Sequence, residues 1–356
     1  MNRRQFLQTL AATAASSSFA AGPNARANVE PTAAKLPRWR GFNLLEKFYG
    51  RRGQPFRETD FAWIAAWGFN FVRLPLSYHH WSSPDDWRTM REPVLKEIDQ
   101  AVEWGRRYGV HVNLCFHRAP GYCVNPPPEP FNLWKDEKAL EACRFHWAHF
   151  AKRYKGIPSG QLSFNLVNEP ANVSEEAYVR VARHLVEAIR AEDAGRLILA
   201  DGLRYGREPV HGLVDLKIAQ SLHSYDPFQL THYKANWVKG SDRWPEPTWP
   251  LQQGKAPAWD KARLRRELID PWQALERKRV GIHVGEWGAH QNTPHAVVLA
   301  WMRDCMELFK EAGWGWALWN LRGNFGLLDS GRSDVAYADF HGRKLDSGML
   351  EVLRSG

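Results

Sequence analysis

A (β/α)8 barrel built as a single domain is the fold class this sequence predicts, on three observations. Short apolar strands alternate eight times with helical stretches, glycines stand where most of those helices must stop, and titratable side chains gather at the strand ends. The 356 residues are enough for such a barrel, which commonly takes about 250 residues or more, with long loops added.

The strands are read from apolar runs of strand length: 40–45 (RGFNLL), 69–77 (FNFVRLPLS), 110–117 (VHVNLCFH), 162–169 (LSFNLVNE), 196–202 (RLILADG), 218–225 (IAQSLHSY), 280–287 (VGIHVGEW) and 314–320 (WGWALWN). Helical patterns fall between them at 59–67, 93–108, 137–155, 174–193, 260–279 and 295–312, with a weak one at 207–213 and a last one near 346–354. Ser174 reads as an N-cap, while Gly68, Gly109, Gly156, Gly195 and Gly313 follow helices as left-handed stops. Eight alternations in one chain favour a closed barrel over an open sheet.

Residues 1–27 have the order of a twin-arginine export signal: Arg3-Arg4, then Phe6-Leu7 and an Ala-rich stretch, then the small-x-small site Ala25-Arg26-Ala27. The expectation is cleavage near Ala27, a leader over 28–38, a catalytic domain over 39–356, and a periplasmic or secreted mature protein. After that segment no apolar run is long enough to cross a bilayer. The net charge of +9 is concentrated in 261–279, where Glu267, Asp270 and Glu276 interrupt the bases as on a solvated helix face, so a nucleic-acid partner is not expected. The four cysteines show no CxxC pair, which argues against a disulfide framework and leaves one Cys115–Cys123 bridge open. No metal spacing is present either, since the adjacent His79 and His80 would point apart on a strand. The expectation is a monomer without cofactor.

In a barrel the chemistry sits on the loops that follow the strands. Three of those loops are long and aromatic: one carries Trp81 and Trp87, the next Tyr122, Phe131 and Trp134, and 226–259 carries Trp237, Trp244, Trp249 and Trp259. Most of the 18 tryptophans should be core, but those on proline-rich loops offer flat apolar faces for a cleft wall.

Polar residues mark the strand ends: Arg73, His117, Asn168-Glu169, His223 and Tyr225, Glu286, and Trp319. Glu169 and Glu286 end strands 4 and 7, facing one another across the barrel mouth. A carboxyl pair of this kind hydrolyses a glycosidic bond, one protonating the leaving oxygen and the other attacking the anomeric carbon or activating water. Arg73 and Tyr225 near Glu286 would favour its charged form, and His223 is a neighbour for Glu169.

The stretches FVRLPLS, LCFH, LVNEP, SLHSYDP, GEWG and WALWN resemble those of glycoside hydrolase family 5, over about residues 39–353. The resemblance implies a retaining, cellulase-like β-glycosidase that needs no cofactor. Glu169 becomes the acid/base and Glu286 the nucleophile, with Arg73, His117, Asn168, His223, Tyr225 and Trp319 around the substrate. The expected partner is a β-linked oligo- or polysaccharide, first a β-1,4-glucan, with β-mannan or short oligosaccharides as alternatives. A non-catalytic carbohydrate-binding barrel would be expected to lack one of the two carboxylates, and both are present.

Overall fold

The computed structural model describes residues 30–50 and 53–356, so the export signal and the start of the leader lie outside the described residues. Eight parallel strands close a barrel: β1 (Arg40–Asn43), β2 (Phe71–Ser77), β3 (His111–Ala119), β4 (Leu162–Asn165), β5 (Ile198–Asp201), β6 (Ala219–Ser224), β7 (Ile282–Trp287) and β8 (Gly315–Leu318). Each pairs with its sequence neighbours, β8 returns to β1, and pairing of β2 with β3 completes the ring. All residues of β2 to β8 are buried, because helices cover the outside and side chains fill the inside.

The helices form where the apolar residues repeat at helical spacing. Ser174 caps Glu175–Glu192 by accepting from the Ala177 N–H, and Gly109 and Gly313 end their helices at φ 67° and 76°. The weak pattern at 207–213 gives no full helix. A distorted turn, Leu203–Gly206, and a 3-10 segment, His211–Leu216, bridge β5 to β6 instead. A hairpin of Ala338–Phe340 with Arg343–Leu345, unmarked by any long apolar run, precedes the final helix, Ser347–Ser355.

The N-terminal end of the barrel is plugged. Trp39 stacks on His111 at 3.6 Å, and Phe71, Leu197, Leu199, Ala219 and Ala317 pack around them with Ala33 and Leu36 of the leader. The Ala33 carbonyl accepts from the Gly281 N–H at 2.7 Å, so the leader is sewn to the barrel floor. Burial holds His111 and His283 down at about 3, which keeps both neutral and makes them structural members of that floor. All four cysteines are free thiols, and the Cys115–Cys123 bridge does not form.

Candidate active site

Every predicted site residue reaches the C-terminal mouth, although two strands end earlier than expected. β4 leaves its ladder at Asn165 and β8 at Leu318, so Asn168, Glu169 and Trp319 stand on the first residues beyond them. Glu169 has φ 47°, a left-handed backbone that costs a non-glycine residue free energy and survives only where the surroundings hold it. Those surroundings are specific. The Glu169 N–H donates to Asp201 Oδ2 at 3.0 Å, and Tyr122 Oη donates to the Glu169 carbonyl at 2.7 Å.

Arg73, on β2, crosses the barrel interior with almost every donor used. Nη1 donates to Glu286 Oε1 at 2.6 Å and to Asn43 Oδ1 at 3.1 Å, Nε donates to Asn165 Oδ1 at 2.9 Å, and Nη2 donates to Asn168 Oδ1 at 2.7 Å. Tyr225 Oη donates to the other oxygen of Glu286 at 3.1 Å. Because Asn168 spends its carbonyl on Arg73, its buried Nδ2 has no partner among the described residues and remains a free donor in the mouth.

His223 joins the two carboxylates. Its Nδ1 lies 2.8 Å from Glu169 Oε1 and 3.7 Å from Glu286 Oε2, while Nε2 lies 3.2 Å from Asp201 Oδ2. Gly206 makes room for it: a Cβ there would sit 2.7 Å from the His223 ring. One oxygen each of Glu169 and Glu286 and a ring nitrogen of His223 lie within 4.8 Å of one another. That closeness matches the spacing of about 5 to 5.5 Å at which the second carboxylate attacks directly, and is too short for the 6.5 to 9.5 Å of an interposed water.

The charges follow from this packing. Burial raises Glu286 to about 7, against the pull of the His223 and Arg73 cations. Burial alone would lower His223, but the carboxylates of Glu286 and Asp201 and its bonds to Asp201 and Glu169 carry it up to about 10, so it is an imidazolium at neutral pH. Asp201 stays well below the usual carboxylate range, because His223 and Arg73 outweigh the cost of its burial. With Arg73 and a cationic His223 already facing these carboxylates, the cluster is a poor cation site despite its three ligand-type groups. Glu169 is the more open of the pair, its side chain 14% exposed against 4% for Glu286. A group that must trade protons with water needs that access.

Around this centre, half-buried Trp319 lies beside His117, their rings near-parallel at 5.9 Å, with Phe48 edge-on at 5.4 Å. Burial lowers His117 to about 3, and its Nε2 is engaged with Asn125 at 2.7 Å. The expected tryptophan wall is thinner than the loops suggested. Trp81, Trp134 and Trp259 are core, because their loops fold back onto the helices, and Trp249 donates to Asp304 on the outer helix. Trp237 is the exposed exception at 54%, packed edge-on to His290 and tilted against Phe325.

Asp201, Asn165 and Asn43 are the residues that sequence reasoning missed. Asp201 ends β5 as Glu169 and Glu286 end their neighbourhoods, so its strand-end position was a usable signal. Asn43 and Asn165 were hidden inside apolar runs. Replacing Arg73 with Met is expected to cost about 3–5 kcal/mol in urea unfolding, since it removes a buried cation from Glu286 and Asp201 and leaves both carboxylates to share His223. A loss under about 1 kcal/mol would show that the guanidinium does not hold the site together.

The comparisons with known proteins agree with this geometry. The cellulase family (glycosyl hydrolase family 5) matches residues 26–325. Endoglucanase C of Acetivibrio thermocellus is 26% identical over 304 residues, spanning 78% of this chain and 88% of its own. A solved structure described as a glycoside hydrolase is 36% identical, with a TM-score of 0.85 and coverage of 89% of this chain and 99% of its own. Thermotoga maritima Cel5A in complex with mannotriose shares the fold at 21% identity and a TM-score of 0.71, covering 89% and 97%. With the family matched over most of its length and a close structural relative spanned almost end to end, the chain belongs to glycosyl hydrolase family 5.

Proposed function

We propose that this protein is a retaining endo-β-1,4-glucanase in which Glu286 is the nucleophile and Glu169 the acid/base. The observation that carries the reading is the carboxyl pair within 4.8 Å, one member gripped by Arg73 and Tyr225 and the other by His223. Glu286 attacks the anomeric carbon as Glu169 gives its proton to the departing sugar oxygen. Glu169 then takes a proton from water, which releases the sugar with its configuration kept. Trp319 floors the attacked ring, and the free Asn168 amide N–H and the uncharged His117 suit its hydroxyls.

The endoglucanase relative supports glucan as the substrate class. A second reading, β-mannan, is favoured by the mannotriose held by the Thermotoga maritima Cel5A fold. Twin-arginine export remains part of the proposal, supported by Arg3-Arg4 and by a family match that starts at residue 26, beside the expected cleavage site.

Purified protein should hydrolyse at least one of carboxymethyl-cellulose, barley β-glucan, glucomannan, xyloglucan and aryl β-glycosides. Folded protein silent on all of them would overturn the β-glycan assignment. The pH profile should also show the nucleophile. Glu286 is raised to about 7 and works only ionised, so kcat/KM should fall as pH drops through that region, about tenfold per unit below it. A flat profile down to pH 5 would mean that Glu286 ionises lower or does not limit the rate.

A further inference from the structure

A buried ion pair that the catalytic scheme does not use lies just beyond the mouth end of β3. The Arg118 side chain is 6% exposed and that of Glu129 2%, and they meet at 2.6 Å. Tyr78 Oη donates to the other carboxylate oxygen at 2.6 Å, and His79 Nε2 stands 3.3 Å from the first. Two charges taken out of water are costly unless their remaining bonds are met, and Arg118 meets its own on the backbone. Nη1 donates to the Pro127 carbonyl at 2.9 Å, and Nη2 to the carbonyls of Asn125 at 3.0 Å and Pro126 at 3.3 Å. Pro126 and Pro127 have a fixed φ and no N–H of their own, so the turn 125–127 is stiff and is tied down by a single guanidinium.

This turn brings one side chain to the site. Asn125 Oδ1 lies 2.7 Å from His117 Nε2. Burial lowers His117 to about 3, so its ring is neutral and only one nitrogen carries a proton. An amide oxygen can only accept, which puts that proton on Nε2 and leaves Nδ1 as a bare acceptor. Nδ1 is buried and has no partner among the described residues. Phe48, edge-on at 4.3 Å, and Trp319, alongside at 5.9 Å, hold the ring against turning over and exchanging its two nitrogens. A buried acceptor without a partner calls for a donor from a ligand, and a sugar seated on Trp319 brings hydroxyls.

We infer that Asn125 is a positioning residue for the attacked sugar: it fixes His117 as the Nε2–H tautomer, so that Nδ1 accepts from a substrate hydroxyl. This rests on the placing of the attacked ring over Trp319 proposed above. Asn125 itself is exposed, and Arg118 holds its backbone carbonyl whatever its side chain. Removing the side chain therefore leaves the turn in place and reaches the substrate only through His117.

Two variants and one spectrum test it. Asn125→Ala should keep Tm within about 2 °C of wild type and lower kcat/KM on the best of the β-glycans named above about five- to tenfold, the scale of one hydrogen bond. Asn125→Asp, whose carboxylate accepts at the same place and cannot donate, should stay within about twofold of wild type above neutral pH. Equal losses in the two variants, or none in Asn125→Ala, overturn the inference. Nitrogen-15 spectra of the histidines in the whole protein read the tautomer itself, with His117 identified by its absence from His117→Gln. Wild type and Asn125→Asp should show a protonated Nε2 and a bare Nδ1, and Asn125→Ala a mixture of both tautomers. A proton on Nδ1 in wild type, or a spectrum that Asn125→Ala leaves unchanged, overturns it. Should the protein turn over no β-glycan, the catalytic reading fails first, and the spectra alone decide what Asn125 does to His117.

Discussion

Glu286→Gly should lower kcat by on the order of 10⁵-fold or more, the scale reached when a covalent nucleophile is removed from a site whose other groups stay in place. Arg73 and Tyr225 would then flank a space large enough for a small anion. Azide should restore turnover of an aryl β-glycoside, and because it attacks once, from the side that Glu286 occupied, the product must be the α-glycosyl azide. Glu286→Gln, which keeps the shape, should be equally inactive and should not be rescued. A β-configured azide, or a Glu286→Gly variant still within tenfold of wild type, would place the nucleophile elsewhere.

Glu169→Ala should behave differently, and the difference assigns the roles. A polysaccharide leaving group needs protonation, so activity on glucan should fall by about 10²–10⁴-fold. A p-nitrophenolate leaving group needs none, so the glycosyl-enzyme should form at a useful rate and then accumulate, seen as a burst of p-nitrophenolate followed by slow turnover. Azide needs no general base and should relieve the second step, giving the β-glycosyl azide after two inversions. If the aryl glycoside and the polysaccharide lost the same factor with no burst, Glu169 would be supporting structure and not transferring a proton.

These two carboxylates were legible in the sequence because each ends an apolar strand, and a strand that stops on a charged residue must present it to water or to chemistry. His223 and Tyr225 were legible for the same reason, whereas Arg73 lies inside β2 and stood out as a charge within an apolar run; all three lie within 4 Å of one of the pair. The tryptophans were less readable. A loop after a strand can lean over the mouth, as Trp237 does, or fold back against the outer helices, as Trp81 and Trp249 do, and the local sequence is equally aromatic in either case. Asp201 escaped because one acid in an Ala-Asp-Gly strand end has no partner nearby in sequence. Its four partners, Arg73, Asn165, Glu169 and His223, come from three other strands and from the residue that ends β4's exit.

The alternation of strands and helices, the closed barrel and the placing of Glu169 and Glu286 at the barrel mouth were set by the sequence alone, since period and strand-end chemistry are local properties of the chain. Only the tertiary structure decided the charge states and the reach of the site. Glu286 stands near 7 and His223 near 10 because burial and neighbours from distant strands act on them together, and such fields have no signature along the chain. The bond between Asn125 and His117 has none either: it forms only where Arg118 and Glu129 fold the segment after β3 back onto that strand.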